Sequence, residues 1–143
     1  VTRYLLDVNV LIALVDPAHV QHHAAHEWFS GVGSKAFATC AVTEMGLLRI
    51  VGHPRYPNSP GSPAAVAPLL AGIRALPGHA FWADAVSPMD TQRLDARRLL
   101  DSSQVTDSHL LALAVAHQGR LASFDRRLVT SAVPGGAQAL LII

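Results

Sequence analysis

Apolar runs, cut at intervals by turn residues, divide this chain into short strands and helices. Arg3-Tyr4-Leu5-Leu6 reads as a short buried strand ending at Asp7. From Asn9 the apolar positions Val10, Leu11, Ile12 and Leu14 predict a helix, stopped by Asp16-Pro17. His19 to Phe29 reads as helical and Gly31 and Gly33 close it, with a second strand over Lys35 to Thr39. A helix follows from Ala41 to Val51. The stretch from Gly52 to Pro63, dense in Pro, Gly, Ser and Asn, predicts a long loop. Ala64 to Ala75 reads as a helix, Ala80 to Trp82 as a strand and Thr91 to Leu100 as a further helix. Thr106 precedes a strongly apolar helix, Leu110 to Ala116, ended by His117-Gln118-Gly119. Arg120 to Phe124 is a strand running into Asp125, Arg126 to Val129 a turn or short helix, and Gln138 to Ile143 a closing strand.

Strands alternating with helices predict an α/β architecture with a largely parallel sheet. The strands are apolar without alternation, as in sheets covered on both faces. No internal repeat or second domain interrupts residues 1–143, a length that suits one compact core. Half of the residues are hydrophobic and 15% are charged, which excludes a disordered or strongly charged tail. The net charge of +1 announces no large electrostatic footprint. Cys40 is the single cysteine, so neither an internal disulfide nor a multi-cysteine metal site is available. The opening apolar run, Tyr4 to Val15, is broken by Asp7 and Asn9, too short for a membrane span and without the features of a secretory signal. A cytoplasmic protein without a membrane partner is the expectation.

With ten acidic residues in the chain, each placement can be weighed. Asp16, Glu27, Asp84, Asp90, Asp95 and Asp101 fall in loops or on polar faces, where solvation accounts for them. Four others fall where a strand or loop hands over to a helix. Asp7 and Asp125 each end a strand, the edge at which open α/β sheets bind ligands. Glu44 and Asp107 lie near helix starts, where a carboxylate also interacts favourably with the helix dipole. Each taken alone is explained as a cap or a first-turn acid. Brought to one edge of a parallel sheet, the four would repel unless protonated or neutralised by cations. Mg²⁺ or Mn²⁺ suits such oxygen ligands. Ions held there activate water and stabilise the leaving alkoxide of a phosphodiester. Asn9 and Ser123, each two residues from an acid, are candidates to orient the carboxylates, or are local caps.

The motifs Asp7-Val8-Asn9-Val10-Leu11-Ile12, Thr43-Glu44, Thr106-Asp107 leading into Leu110-Leu111-Ala112-Leu113-Ala114, and Ser123-Phe124-Asp125 resemble, in order and spacing, those of the PIN-domain nucleases. The size of the chain most resembles the VapC-type toxins of toxin–antitoxin pairs. The resemblance implies a three-layer α/β/α sandwich with a central, mostly parallel sheet, over a single PIN domain. It implies a Mg²⁺- or Mn²⁺-dependent endoribonuclease with an RNA substrate, usually a homodimer, silenced by a small antitoxin protein. By position, Asp7 and Asp107 would be the core metal ligands, Glu44 would complete the site, and Asp125 would be its fourth acid.

An RNA-processing nuclease of the same family is one alternative. A haloacid-dehalogenase-type phosphatase is another, but it wants a second acid where this chain has Asn9, and a catalytic lysine where only Lys35 exists. His19, His22, His23 and His26 fall at helical spacings that put them on one face, within reach of a Zn²⁺ ion, or else belong to a half-buried helix beside the cleft. Arg49, Arg55, Arg126 and Arg127 are either phosphate contacts or solvated surface groups.

Overall fold

A computed structural model describes all residues 1–143. Five strands form one sheet: β1 Tyr4–Leu6, β2 Phe37–Cys40, β3 His79–Trp82, β4 Arg120–Ser123 and β5 Leu140–Ile142. Their spatial order is β3-β2-β1-β4-β5, and every pairing is parallel. Successive side chains of a strand point to opposite faces, so Leu5 and Leu121 enter one core while Leu6 and Ala122 enter the other. Helices α1 Val8–Val15, α2 His22–Gly31, α3 Ala41–Val51 and α4 Pro63–Arg74 cover the face of Leu6, Phe37 and Ala122. Helix α5 Gln104–Ala116 covers the other face through Leu110, Leu111 and Leu113, and the short α6 Gly136–Ala139 packs beside it. The expected three-layer α/β/α sandwich is what forms, with a sheet that is parallel throughout.

The connections explain where a site can lie. From β1 the chain moves outward through β2 to β3, then crosses back to place β4 on the other side of β1. Helices leaving β1 and β4 therefore diverge to opposite faces, opening a crevice at the carboxyl ends of these two strands. Asp7 follows β1, Asp125 follows β4, and α5 starts at the same edge.

Three element boundaries depart from the sequence expectation. The helix expected over Thr91 to Leu100 is a string of turns with one short 3₁₀ turn, Ala96–Arg98. Asp90 and Asp95 explain the break: their carboxylates accept the backbone N–H groups of Gln92 and Arg97, diverting the backbone from a helical ladder. Helix α5 begins at Gln104 rather than near Leu110, because its first turn is largely exposed and shows no apolar spacing. The closing strand is shortened to Leu140–Ile142 by α6.

The histidine cluster is also resolved differently from the one-face expectation. Helix α2 starts at His22, and the His22 and His26 rings donate to the carbonyls of Ala13 (2.7 Å) and Leu14 (2.8 Å). They satisfy orphan carbonyls at the last turn of α1, far from its Asp7 end. His23 points to solvent beside Glu27, and His19 accepts from the Gln21 backbone. This is a helix cap, and its place is the opposite end of α1 from the cleft.

Candidate metal-binding site

Ser123 is the hub of the crevice. Its Oγ donates to Asp7 Oδ2 (2.7 Å) and accepts from Asn9 Nδ2 (3.1 Å) and from the Asp125 backbone N–H (3.0 Å). A serine hydroxyl has one proton and two lone pairs, so its capacity is full and its proton is committed to Asp7. Asn9 Oδ1 accepts the Phe124 N–H at 3.2 Å, fastening the start of α1 to the end of β4. Asp7 Oδ1 accepts from the Val8 N–H at 2.8 Å, as a helix cap does. Each Asp7 oxygen thus takes one protein hydrogen bond and keeps a lone pair free.

Asp7 is 6% exposed, and that burial raises its pKa against the two hydrogen bonds that lower it, with the Asp125 charge adding to the rise. Asp107, in the first turn of α5, is pushed up to about 6 by burial, then by the charges of Asp7 and Asp125. No hydrogen bond offsets that push. Asp7, Asp107 and Asp125 therefore form one electrostatic unit.

Glu44 does not join it. Its carboxylate is ion-paired with Arg74 at the end of α4 and accepts from Thr39 Oγ1 at 2.6 Å. His79 Nε2 lies 2.7 Å from the same hydroxyl and donates to it, since that proton is given to Glu44. Burial and the neighbouring Arg74 cation lower the His79 pKa, consistent with a neutral ring there. Helix geometry explains the separation: Glu44 and Gly46 lie about 200° apart around α3. Gly46 is the one that faces α1, where an added Cβ would meet Val8 Cγ2 at 2.7 Å. The Cys40 N–H donates to Thr43 Oγ1 at 3.0 Å, which closes the first turn of α3.

Carboxylate oxygens, crowded and short of protein donors, suit a hard divalent cation. No three of the chain's His, Cys, Asp or Glu side chains converge tightly on one point as they stand. The three aspartates are instead near enough for the charges of Asp7 and Asp125 to raise Asp107. Arg126 and Arg127 are exposed directly after Asp125, whereas Arg49 and Arg55 lie at the far end of α3 and in the loop beyond it.

A contact that sequence reading assigned to solvent sits near the crevice. Asp84, just beyond β3, accepts from His109 Nε2 of α5 at 3.0 Å. Asp16 was likewise assigned to solvent and is 6% exposed, accepting from Tyr56 Oη, Asn58 Nδ2 and the Ala18 N–H. The signal for Asp16 was present as Tyr56 and Asn58 in the long loop, but only the fold brings them back to α1.

The family model described as PIN domain matches residues 4–133. The chain belongs to the PIN-domain family. This PIN domain is 46% identical to Ribonuclease VapC44 of Mycobacterium tuberculosis, over 95% of each chain. It is 41% identical to Ribonuclease VapC39 of the same organism, over 95% of this chain and 98% of that one. Among solved structures it is similar to M. tuberculosis VapC20, described as a sarcin-ricin loop cleaving toxin, with a TM-score of 0.63 at 14% identity over 98% of both chains. It is similar too to VapBC2 from Rickettsia felis, bound to a promoter DNA fragment, with a TM-score of 0.57 at 11% identity over 87% and 89% of the chains. At such identities these structures bear on the fold alone. The family leaves no place for the phosphatase alternative, whose second acid is here Asn9, a clamp between α1 and β4. No helix is long and apolar enough to cross a membrane.

Proposed function

We propose that this PIN domain is a divalent-metal-dependent endoribonuclease and the toxin of a toxin–antitoxin pair. The observation that carries the chemistry is Asp107, an acid with no protein donor, its pKa raised by burial and then by the charges of Asp7 and Asp125 at the carboxyl edge of the sheet. The toxin assignment rests on full-length likeness to the VapC ribonucleases. Its partners are an RNA substrate, a small antitoxin protein and, by family habit, a second copy of the chain.

In this reading Asp7, Asp107 and Asp125 hold Mg²⁺ or Mn²⁺. A bound ion supplies a Lewis acid for the phosphodiester and lowers the pKa of an attacking water. The chain's own contribution is orientation. Ser123 and the Val8 N–H fix the plane of the Asp7 carboxylate, and Asn9 holds Ser123 in place. Arg126 and Arg127 stand beside Asp125 to meet substrate phosphates. Glu44, expected from sequence to complete the site of Asp7 and Asp107, has its carboxylate committed to Arg74 and Thr39, and we assign it the task of joining α3, α4 and β2.

The purified chain is expected to cut RNA internally with Mg²⁺ or Mn²⁺ and to stop on chelation. Asp7→Asn and Asp107→Asn should lose activity by about a hundredfold or more, and Ser123→Ala by about tenfold. Glu44→Gln should retain most of its activity while melting lower. An active Asp7→Asn refutes the site, and a Glu44→Gln as inactive as Asp7→Asn restores Glu44 to it. Expression alone should arrest growth, and co-expression of the cognate small partner should relieve the arrest. Normal growth with soluble, active protein present would leave the RNA-processing role in its place.

A further inference from the structure

We propose that the groove beside His109 is a subsite for one nucleobase of the RNA, next to the scissile phosphate, with His109 as the residue that reads it. The proposal rests on the ribonuclease reading. The groove has a volume of about 210 Å³ and is lined by Val42, Pro88, Val105, Thr106 and His109. That is room for a planar base and too little for a partner helix. Its walls are apolar, with two polar groups, the composition usual in a pocket that takes a flat ring and orients it.

Its position ties it to the acids. Thr106 and His109 flank Asp107 on the first two turns of α5, and Val42 is the second residue of α3, which also starts at the carboxyl edge of the sheet. The groove therefore opens at the same end of α5 that carries Asp107, where a strand held at the acids can run on across it. Single-stranded RNA is read in this manner, its bases splayed into pockets and hydrogen-bonded along their edges.

The chemistry of His109 fits the role. Its side chain is 16% exposed and that of Asp84 is 21% exposed, so the pair is sheltered but reachable. With Nε2 turned to Asp84 at 3.0 Å, the ring presents Nδ1 with no protein hydrogen-bond partner. Nδ1 is thus an oriented polar atom for the edge of a base, and the Thr106 hydroxyl adds a second polar contact. A tie between α5 and the end of β3 would need the Asp84 bond alone. It would not need an open groove or an unpartnered ring nitrogen.

The test uses the full chain with Mn²⁺ and a set of short single-stranded RNA oligonucleotides that vary the bases on each side of the cleaved bond. Wild type, His109→Ala, His109→Gln, Asp84→Asn and Val105→Trp are compared, with Asp7→Asn as the inactive control. Val105 is largely exposed, so the tryptophan fills the groove without disturbing the core. The expected result is a loss of about tenfold in kcat/KM for His109→Ala and Val105→Trp, carried by KM, with a flattened or altered preference at one flanking base. His109→Gln, which retains a polar side chain, should recover part of it, and Asp84→Asn should shift the preference less. If His109→Ala and Val105→Trp cut the same sites with unchanged kcat/KM while Asp7→Asn is dead, the subsite is refuted and the ribonuclease stands. If wild type cuts no RNA with either ion, the ribonuclease reading falls and the subsite falls with it. A loss confined to melting temperature assigns His109 to structure only and also overturns the proposal.

Discussion

Asp16 shows how a single buried carboxylate fastens a long loop. Burial pushes its pKa up, but hydrogen bonds from Tyr56, Asn58 and the Ala18 N–H outweigh that push and hold it below the ordinary carboxylate range. A lowered pKa in the folded chain means that the ionised form stabilises the fold. That contribution is complete above the ordinary value and is lost as pH falls through the lowered one. Asp16→Ala should cost about 1–2 kcal/mol at about pH 7, because it removes the charge and the acceptor shared by half-buried Tyr56 and exposed Asn58. The gap to wild type should narrow as pH falls below about 4, read from urea midpoints at successive pH values. A gap that stays constant on acidification would show that the charge is not what holds the loop. The residue was invisible as a structural acid in the sequence because its donors lie 40 and 42 positions downstream. Asp7 was legible for the opposite reason: strand end, helix start and Asn9 are all local to it.

Elements with an apolar stripe were readable, and those defined by polar side chains were not. Helix α3 and the interior of α5 announced themselves through Leu47, Val51, Leu110, Leu111 and Leu113. The polar first turn of α5 and the turns around Asp90 and Asp95 carried no such period. The partners of Glu44, Arg74 and Thr39, were not legible at this scale either. Its place near a helix start was right, but facing on a helix is set by residue number around the axis, and the position toward α1 belongs to Gly46. The end of α5 offers a clean test of a local rule. The sequence assigned the stop to His117-Gln118-Gly119, and the left-handed residue there is Gln118, with φ 56°. Gly119 is needed instead for the close approach of the Arg3 carbonyl, 2.6 Å from where its Cβ would lie. A non-glycine residue in that conformation costs about 1–2 kcal/mol, part of which glycine returns as unfolded-chain entropy. Gln118→Gly should therefore stabilise the chain by about 0.5–1 kcal/mol, while Gly119→Ala should destabilise it, both read from thermal melts. A lower melting point for Gln118→Gly would mean that its side chain contributes more than its backbone costs.

At the scale of the molecule, the topology that gathers three aspartates into one crevice also makes them a burden on the fold. Crossing back from β3 to β4 places Asp7 and Asp125 on adjacent strand ends, and α5 delivers Asp107 between their charges. Because the Asp107 pKa is raised to about 6, its contribution to stability is present below the ordinary carboxylate value and is lost as pH rises through 6. The metal-free chain should therefore be strained at neutral pH. Asp107→Asn should melt higher than wild type at about pH 7.5 in chelator, by about 1–2 kcal/mol once the partial exposure of the group is allowed for. Divalent ion should reverse that order. Binding only to the folded chain adds RT ln(1 + [L]/Kd), about 2.7 kcal/mol at a hundredfold excess over Kd. Wild type should gain this with Mg²⁺ or Mn²⁺, and Asp107→Asn should gain far less. Protons compete for the same oxygens, so the wild-type gain should shrink as pH is lowered through 6. Melting curves for the two proteins, with chelator and with each ion, at about pH 7.5 and about pH 5, give all four comparisons. Equal metal-induced shifts in wild type and Asp107→Asn at the higher pH would place the ion elsewhere and undo the link between crowded carboxylates and catalysis.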